Sequence, residues 1–251
     1  MIIIGMTGPI GHGKSTFAKE AMLIEPSSKR LESSMIIAEV ANALHDSTTV
    51  IPEKDDIDAI NVWLRPLPSI LLEVVHAKCS FDQIKLSLPE IESHPVDYEK
   101  LSLHLENLSR NKALLTQDIT QENKEAYRPI LQWLGGYLVN KVDPSIWYKE
   151  VVRRVYEIAN EGKKLCLIGG LRFPADAQYV RSAGGKIIKV YRPGHLQYDT
   201  LDPTERERED IVPDSTIVSD GTIEDIKKCA VQVLKDIGEG NLKKTYYAKA
   251  H

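Results

Sequence analysis

Gly8-Pro-Ile-Gly-His-Gly-Lys-Ser15 carries the spacing G-x-x-x-x-G-K-[ST], which suits it to cradling the phosphates of a nucleoside triphosphate. Gly8, Gly11 and Gly13 let successive backbone N–H groups converge on phosphate oxygens. Lys14 would reach the β and γ phosphates, and the Ser15 hydroxyl would ligate Mg2+. A helix opening at Ser15 adds the positive end of its dipole. Thr16 is placed to touch the α phosphate or to cap that helix. His12 lies within the loop, where its side chain is expected to face solvent or substrate rather than to act in catalysis.

Such a loop needs a strand before it and a helix after it. Ile2-Ile-Ile-Gly-Met6 is a short, β-branched apolar run that reads as a buried strand. Ser15–Met22 reads as a helix with Phe17, Ala18, Ala21 and Met22 on one face. Farther on, Lys164–Ile168, Gly185–Tyr191 and Ser215–Val218 read as strands, the last being the final one. Pro174–Ala183 and Thr222–Ile237 read as helices between and after them. Alternation of this kind predicts an α/β fold with a parallel sheet covered on both faces, the three-layer sandwich of P-loop NTPases. Met35–Val40 fits either a second strand or the start of a helix through Leu44. Residues 46–125 lack strand-like runs, carry Pro66, Pro68, Pro89 and Pro95, and read as a mostly helical insertion. Arg128 to Gly162 reads as helical, with a break at Gly135-Gly136 and a restart at Asp143-Pro144. The expected organisation is a phosphate-loop α/β core over 1–45 and 126–237, a helical insertion over 46–125, and a loosely attached tail over 238–251.

Bulk composition narrows the function classes. The 251 residues carry 42% hydrophobic and 27% charged side chains, enough for a sizeable core. A net charge of −4 gives no general basic field for holding nucleic acid, and a local basic cleft is all that a phosphate-handling enzyme needs. Cys79, Cys166 and Cys229 are odd in number and far apart, which reads as reduced, mostly buried thiols. The apolar start is too short for a signal peptide, and no run approaches a membrane span, so a cytoplasmic protein is expected.

Three further stretches follow the loop in order: Arg128-Pro-Ile-Leu-Gln-Trp-Leu-Gly-Gly136 with Asp143-Pro-Ser-Ile-Trp147; Leu167-Ile-Gly-Gly-Leu-Arg-Phe-Pro-Ala-Asp-Ala177 with Gly184–Pro193; and Asp214–Ile226. In this order and spacing the chain resembles the deoxynucleoside monophosphate kinase family of bacteriophages and bacteria, as a divergent member. The resemblance covers the loop and the second half, and none is visible between Asp46 and Glu125. It implies phosphoryl transfer from ATP, with Mg2+, to a small nucleotide acceptor. On that pattern Arg128 falls near the acceptor phosphate and Arg172 on the arginine of an Asp-x-Arg-Phe-x-x-Glu segment, with Asp176 in place of its glutamate. Arg192 falls near the ATP base, and Arg206 and Arg208 fall in a mobile lid. Arginine suits these places because its planar fork grips phosphate oxygens and stays charged. Arg128 and Arg172 also fit structural salt bridges, and Glu205–Asp210 also reads as a solvated charge run.

The sequence departs from that pattern at several points. Gly170, after Gly169, stands where the family places a strand-end aspartate able to hold the Mg2+ shell, and Glu39 or Asp46 are candidates to supply it. Gly135-Gly136-Tyr137 replaces Gly-Thr-Glu, Asn140 beside Lys141 replaces an arginine, and Asn42 replaces an aspartate. Trp133, Tyr137 and Trp147 fit either a base-stacking role or a core. Besides nucleoside monophosphate phosphorylation, the sequence allows a kinase with another acceptor, such as a modified DNA base or a coenzyme precursor. It also allows a degenerate nucleotide binder without transfer. A motor or switch ATPase has least support, and a homodimer is compatible with the chain.

Overall fold

The computed structural model describes residues 1–76, 95–141, 143–195 and 208–249, and the chain forms two compact units, Met1–Glu32 with Val151–His251, and Ser33–Glu150. The first unit is built on six strands: β1 (Ile2–Thr7), β2 (Ser28–Glu32), β3 (Leu165–Gly169), β4 (Lys186–Tyr191), β5 (Ser215–Ser219) and β6 (Thr245–Ala248). They line up in the order β2-β3-β1-β4-β5-β6, and every neighbouring pair is parallel. Parallel neighbours need crossovers, which the helices α1 (Lys14–Ile24), α9 (Pro174–Ser182) and α10 (Ile223–Gly238) help to supply. The strand alternation separates two cores. Ile4, Met6, Leu167, Ile188 and Ile217 pack with Phe17 and Ala21 of α1 and with Ala230 and Val233 of α10. On the other face Gly5 lies against Ile187, Leu171 and Val180, so close that a Cβ at Gly5 would sit 2.9–3.1 Å from them. The α/β fold with an all-parallel sheet is thus the P-loop NTPase-like one expected from the strand and helix pattern.

The second unit is helical. It contains α2 (Ser33–Asp46), α3 (Ile57–Leu64), α4 (Leu67–Val74), α5 (Pro95–Arg110), α6 (Ala113–Thr116), a 3-10 turn at Lys124–Tyr127 and α7 (Arg128–Lys141). A further helix, α8 (Ile146–Asn160), begins in this unit and ends in the first. α2 packs on α4 and α7, and α5 packs on α7. Leu44, Ile60, Leu71, Leu105, Trp133 and Tyr137 are buried within it.

Of the two readings open for Met35–Val40 the helix holds, inside α2, and the second strand lies earlier, in Ser28-Lys-Arg-Leu-Glu32. Three local expectations are corrected. α7 runs straight through Gly135-Gly136, because the carbonyl of Gly135 accepts the Trp147 Nε1–H at 3.1 Å and Trp133 stacks on Tyr137 across the glycines. Ser215–Ser219 is not the last strand. The tail is not loose either: β6 extends the sheet, and the buried Tyr246 hydroxyl donates to Asp236 Oδ2 at 2.8 Å. Cys166 and Cys229 are buried free thiols, held up to about 12 and about 11 by burial, while Cys79 lies outside the described residues. Among the described residues no helix is long and apolar enough to cross a membrane.

Candidate active site

The strand-to-helix turn after β1 has no freedom to be anything but glycine at three places. Gly8, Gly11 and Gly13 hold φ values of 127°, 81° and 100°, in the left-handed region that side chains resist. A Cβ at Gly8 would stand 2.2 Å from the carbonyl oxygen of Val190, so β4 seals that side of the turn. Gly13 caps α1 without any side-chain hydrogen bond, which leaves the first N–H groups of the helix pointing outward for an anion. Ser15 is exposed and Thr16 half-buried in that first turn. Lys14 folds back along the loop, its ammonium donating to the carbonyls of Gly8 and Pro9 at 2.6 and 2.7 Å. Lysine, loop N–H groups and helix end therefore converge on one patch at the carboxyl end of β1, where parallel α/β sheets bind ligands.

His12 corrects an expectation. Its ring is fully buried rather than turned to solvent, and its Nδ1 accepts the Arg192 backbone N–H at 3.0 Å. The Tyr191 and His195 rings flank it at 5.5 and 5.3 Å between centroids. Burial first, then His195, Lys14 and Arg208, push its pKa below the ordinary value. The neutral ring thus pins the end of β4, and with it the backbone of Arg192, to the phosphate loop.

The other arginines are placed differently. Arg172 is exposed just before α9, and the Asp176 carboxylate accepts the backbone N–H groups of Arg172 and Phe173, both at 2.9 Å. Burial raises Asp176 to about 6 despite those two bonds. Arg192 is exposed at the end of β4. Arg208 is buried rather than solvated, in a 3-10 turn whose Glu209 pairs with Lys189 of β4 at 2.8 Å. Arg206 lies outside the described residues. Arg128 opens α7 in the helical unit and pairs with Glu125 at 3.1 Å, both largely exposed. So the structure gathers Lys14, Ser15, His12 and Arg192 around the loop, while Arg128 belongs to the other compact unit.

Two residues that sequence reasoning missed join this group. Arg30 Nη2 lies 3.4 Å from Ser15 Oγ and also donates to Glu32 Oε1. Both come from β2, two residues apart and so on one face of the strand. Glu32 stands in register beside Gly169 at the end of β3. A carboxylate thus does reach the strand end, from the neighbouring strand. Glu39 and Asp46, the candidates considered from sequence, are carried by α2. In the helical unit Asn42, which replaces the family aspartate, accepts the Ile119 N–H at its Oδ1 at 2.9 Å, and of the two uses open for Trp133, Tyr137 and Trp147 their burial fits the core.

Comparison with known proteins adds the family. No curated protein matches the chain. The family described as deoxynucleotide monophosphate kinase matches residues 74–229. That range includes residues 74–125, where the sequence alone had shown no resemblance, and it leaves the phosphate loop and β2 outside. Covering more than half of the chain, the match makes this protein a member of the deoxynucleotide monophosphate kinase family.

Proposed function

We propose that the protein transfers the γ-phosphoryl group of ATP to a deoxynucleoside monophosphate. The observation that carries this reading is the glycine loop after β1, closing on the uncapped N-terminus of α1, in a chain of this kinase family. Phosphoryl transfer asks little covalent help of a protein; it needs donor and acceptor aligned and the moving charge neutralised. In this reading the N–H groups of residues 11–16 hold the β phosphate. Lys14 exchanges the carbonyls of Gly8 and Pro9 for β and γ oxygens. Ser15 would hold Mg2+, which would help to neutralise the charge on the phosphates. Arg172 faces the transferring group, Arg192 lies against the ATP base, and Arg128 serves the acceptor phosphate. By the family resemblance, Arg206 and Arg208 would serve as lid residues for the donor.

Incubation with ATP, Mg2+ and a panel of ribo- and deoxynucleoside monophosphates is expected to give the diphosphate of at least one deoxynucleotide. Lys14→Ala should lower that rate by about a hundredfold or more, since it removes a charge from the transition state. Activity that survives Lys14→Ala would sink the role given to the loop. Failure of every monophosphate while ATP still binds would favour a different acceptor, with phosphorylated DNA and coenzyme precursors as the next arms, or a binder without transfer.

A further inference from the structure

We infer that Glu32, together with the Ser15 hydroxyl, holds the Mg2+ of the bound nucleotide, and that Arg30 occupies the cation's position before nucleotide binds. The inference rests on the reading of the loop as an ATP site. Its starting point is the end of β3. A Cβ built at Gly169 would lie 3.0 Å from both Cγ and Oε1 of Glu32, so the Glu32 side chain lies across the bare backbone of that glycine. Side chains at this position would push the carboxylate away. The glycine therefore leaves β3 without a side chain there and gives the place to the carboxylate of β2.

Glu32 is held there with only 11% of its side chain exposed. One nitrogen, Arg30 Nη2, touches both the Ser15 hydroxyl and Glu32 Oε1. A single positively charged group bridging a hydroxyl and a carboxylate is the arrangement a hard divalent cation forms with the same oxygens. Mg2+ in nucleotide sites takes one or two carboxylates beside the phosphate oxygens and keeps several waters. Ser15 and Glu32 come from α1 and β2, and the one Arg30 nitrogen that touches both already holds the two oxygens near each other. With a cation held by Ser15 and Glu32, the Arg30 guanidinium would be released from Glu32 and would be available to a phosphate oxygen of the nucleotide.

Calorimetric titration of the full chain with ATP, once with Mg2+ and once with EDTA, separates the possibilities. Glu32→Gln keeps the shape of the side chain and removes its charge. It is expected to weaken Mg2+-dependent ATP binding about tenfold or more, as loss of a metal-shell group does. Binding in EDTA should be unchanged or tighter, which also reports that the variant is folded. Arg30→Ala removes the competing guanidinium and should lower the Mg2+ concentration at half-saturation. The same gain from Mg2+ in Glu32→Gln as in the unsubstituted protein overturns the carboxylate's role. An unchanged or higher Mg2+ requirement in Arg30→Ala overturns the stand-in. ATP binding that is absent from the unsubstituted chain in both conditions overturns the nucleotide reading together with this one.

Discussion

Gly169 and Gly170 stand next to each other at the end of β3 but answer to different constraints. Gly169 is a matter of space, because Glu32 lies where its Cβ would be. Gly170 is a matter of backbone, because its φ of 77° falls in the left-handed region. An aspartate at Gly170 would therefore not simply restore the family pattern. Gly170→Asp should cost about 1 kcal/mol of stability, the lower end of the left-handed penalty because a short polar side chain tolerates that region. A urea titration measures this, and stability equal to the unsubstituted protein would show that the turn is not fixed as described. The turn itself was legible at this scale: the glycines at the spacing read from sequence hold left-handed φ values between β1 and α1. Glu32 was not, because its importance comes from a neighbouring strand 137 positions away in register. His12 was misjudged for a related reason: its partner, the N–H of Arg192, lies across the sheet.

Among the elements, the central strands were legible and the edge strands were not. β1 and β3 are buried on both faces and read as continuous apolar runs. β2, Ser28-Lys-Arg-Leu-Glu32, is half-exposed at one edge, and β6, Thr245-Tyr-Tyr-Ala248, is four residues at the other. Their polarity follows from having a neighbour on one side only. The misjudged break at Gly135-Gly136 follows from low helix propensity, which packing overrode. This gives a distinction between adjacent glycines. Around Gly136 a Cβ would meet nothing within 4 Å, whereas at Gly135 it would press on Ile37 Cδ1 at 3.3 Å. Gly136→Ala should stabilise the helical unit by about 0.5–1 kcal/mol, the propensity difference in a helix interior. Gly135→Ala should gain less or nothing. Urea midpoints of the two variants test this, and a destabilised Gly136→Ala would mean that α7 does not run unbroken there.

At the scale of the whole molecule, buried titratable groups set the response to acid, and the helical unit holds the clearest case. In the helical unit His45 of α2 and His104 of α5 are buried, their rings stacked 5.3 Å apart and their Nε2 atoms 3.1 Å apart. Burial lowers His45 to about 4, against the pull of Asp46, and burial with the His45 ring lowers His104 to about 3. A base whose folded pKa lies below its unfolded value stabilises the fold fully above that unfolded value, near 6.5. The contribution is lost as pH falls from 6.5 towards 4, because the unfolded chain binds the protons first. With two such groups the steepest loss approaches about 3 kcal/mol per pH unit. Asp176 in the sheet unit behaves oppositely: burial raises it to about 6, so its contribution is greatest below about 4 and is lost as pH rises through 6. The tryptophans allow one unit to be watched alone, since Trp63, Trp133 and Trp147 all fall within Ser33–Glu150. Urea melts followed by tryptophan fluorescence should show a midpoint that drops as the buffer is taken from pH 7 to pH 4.5. Tyr127 packs on His45 at 6.2 Å and titrates far above this window, so it adds no slope of its own. The double variant His45→Leu with His104→Leu removes both bases and should flatten the curve. An equally steep curve in that variant would place the acid sensitivity elsewhere in the unit, and a flat curve in the unsubstituted protein would mean the pair is not buried as a neutral couple.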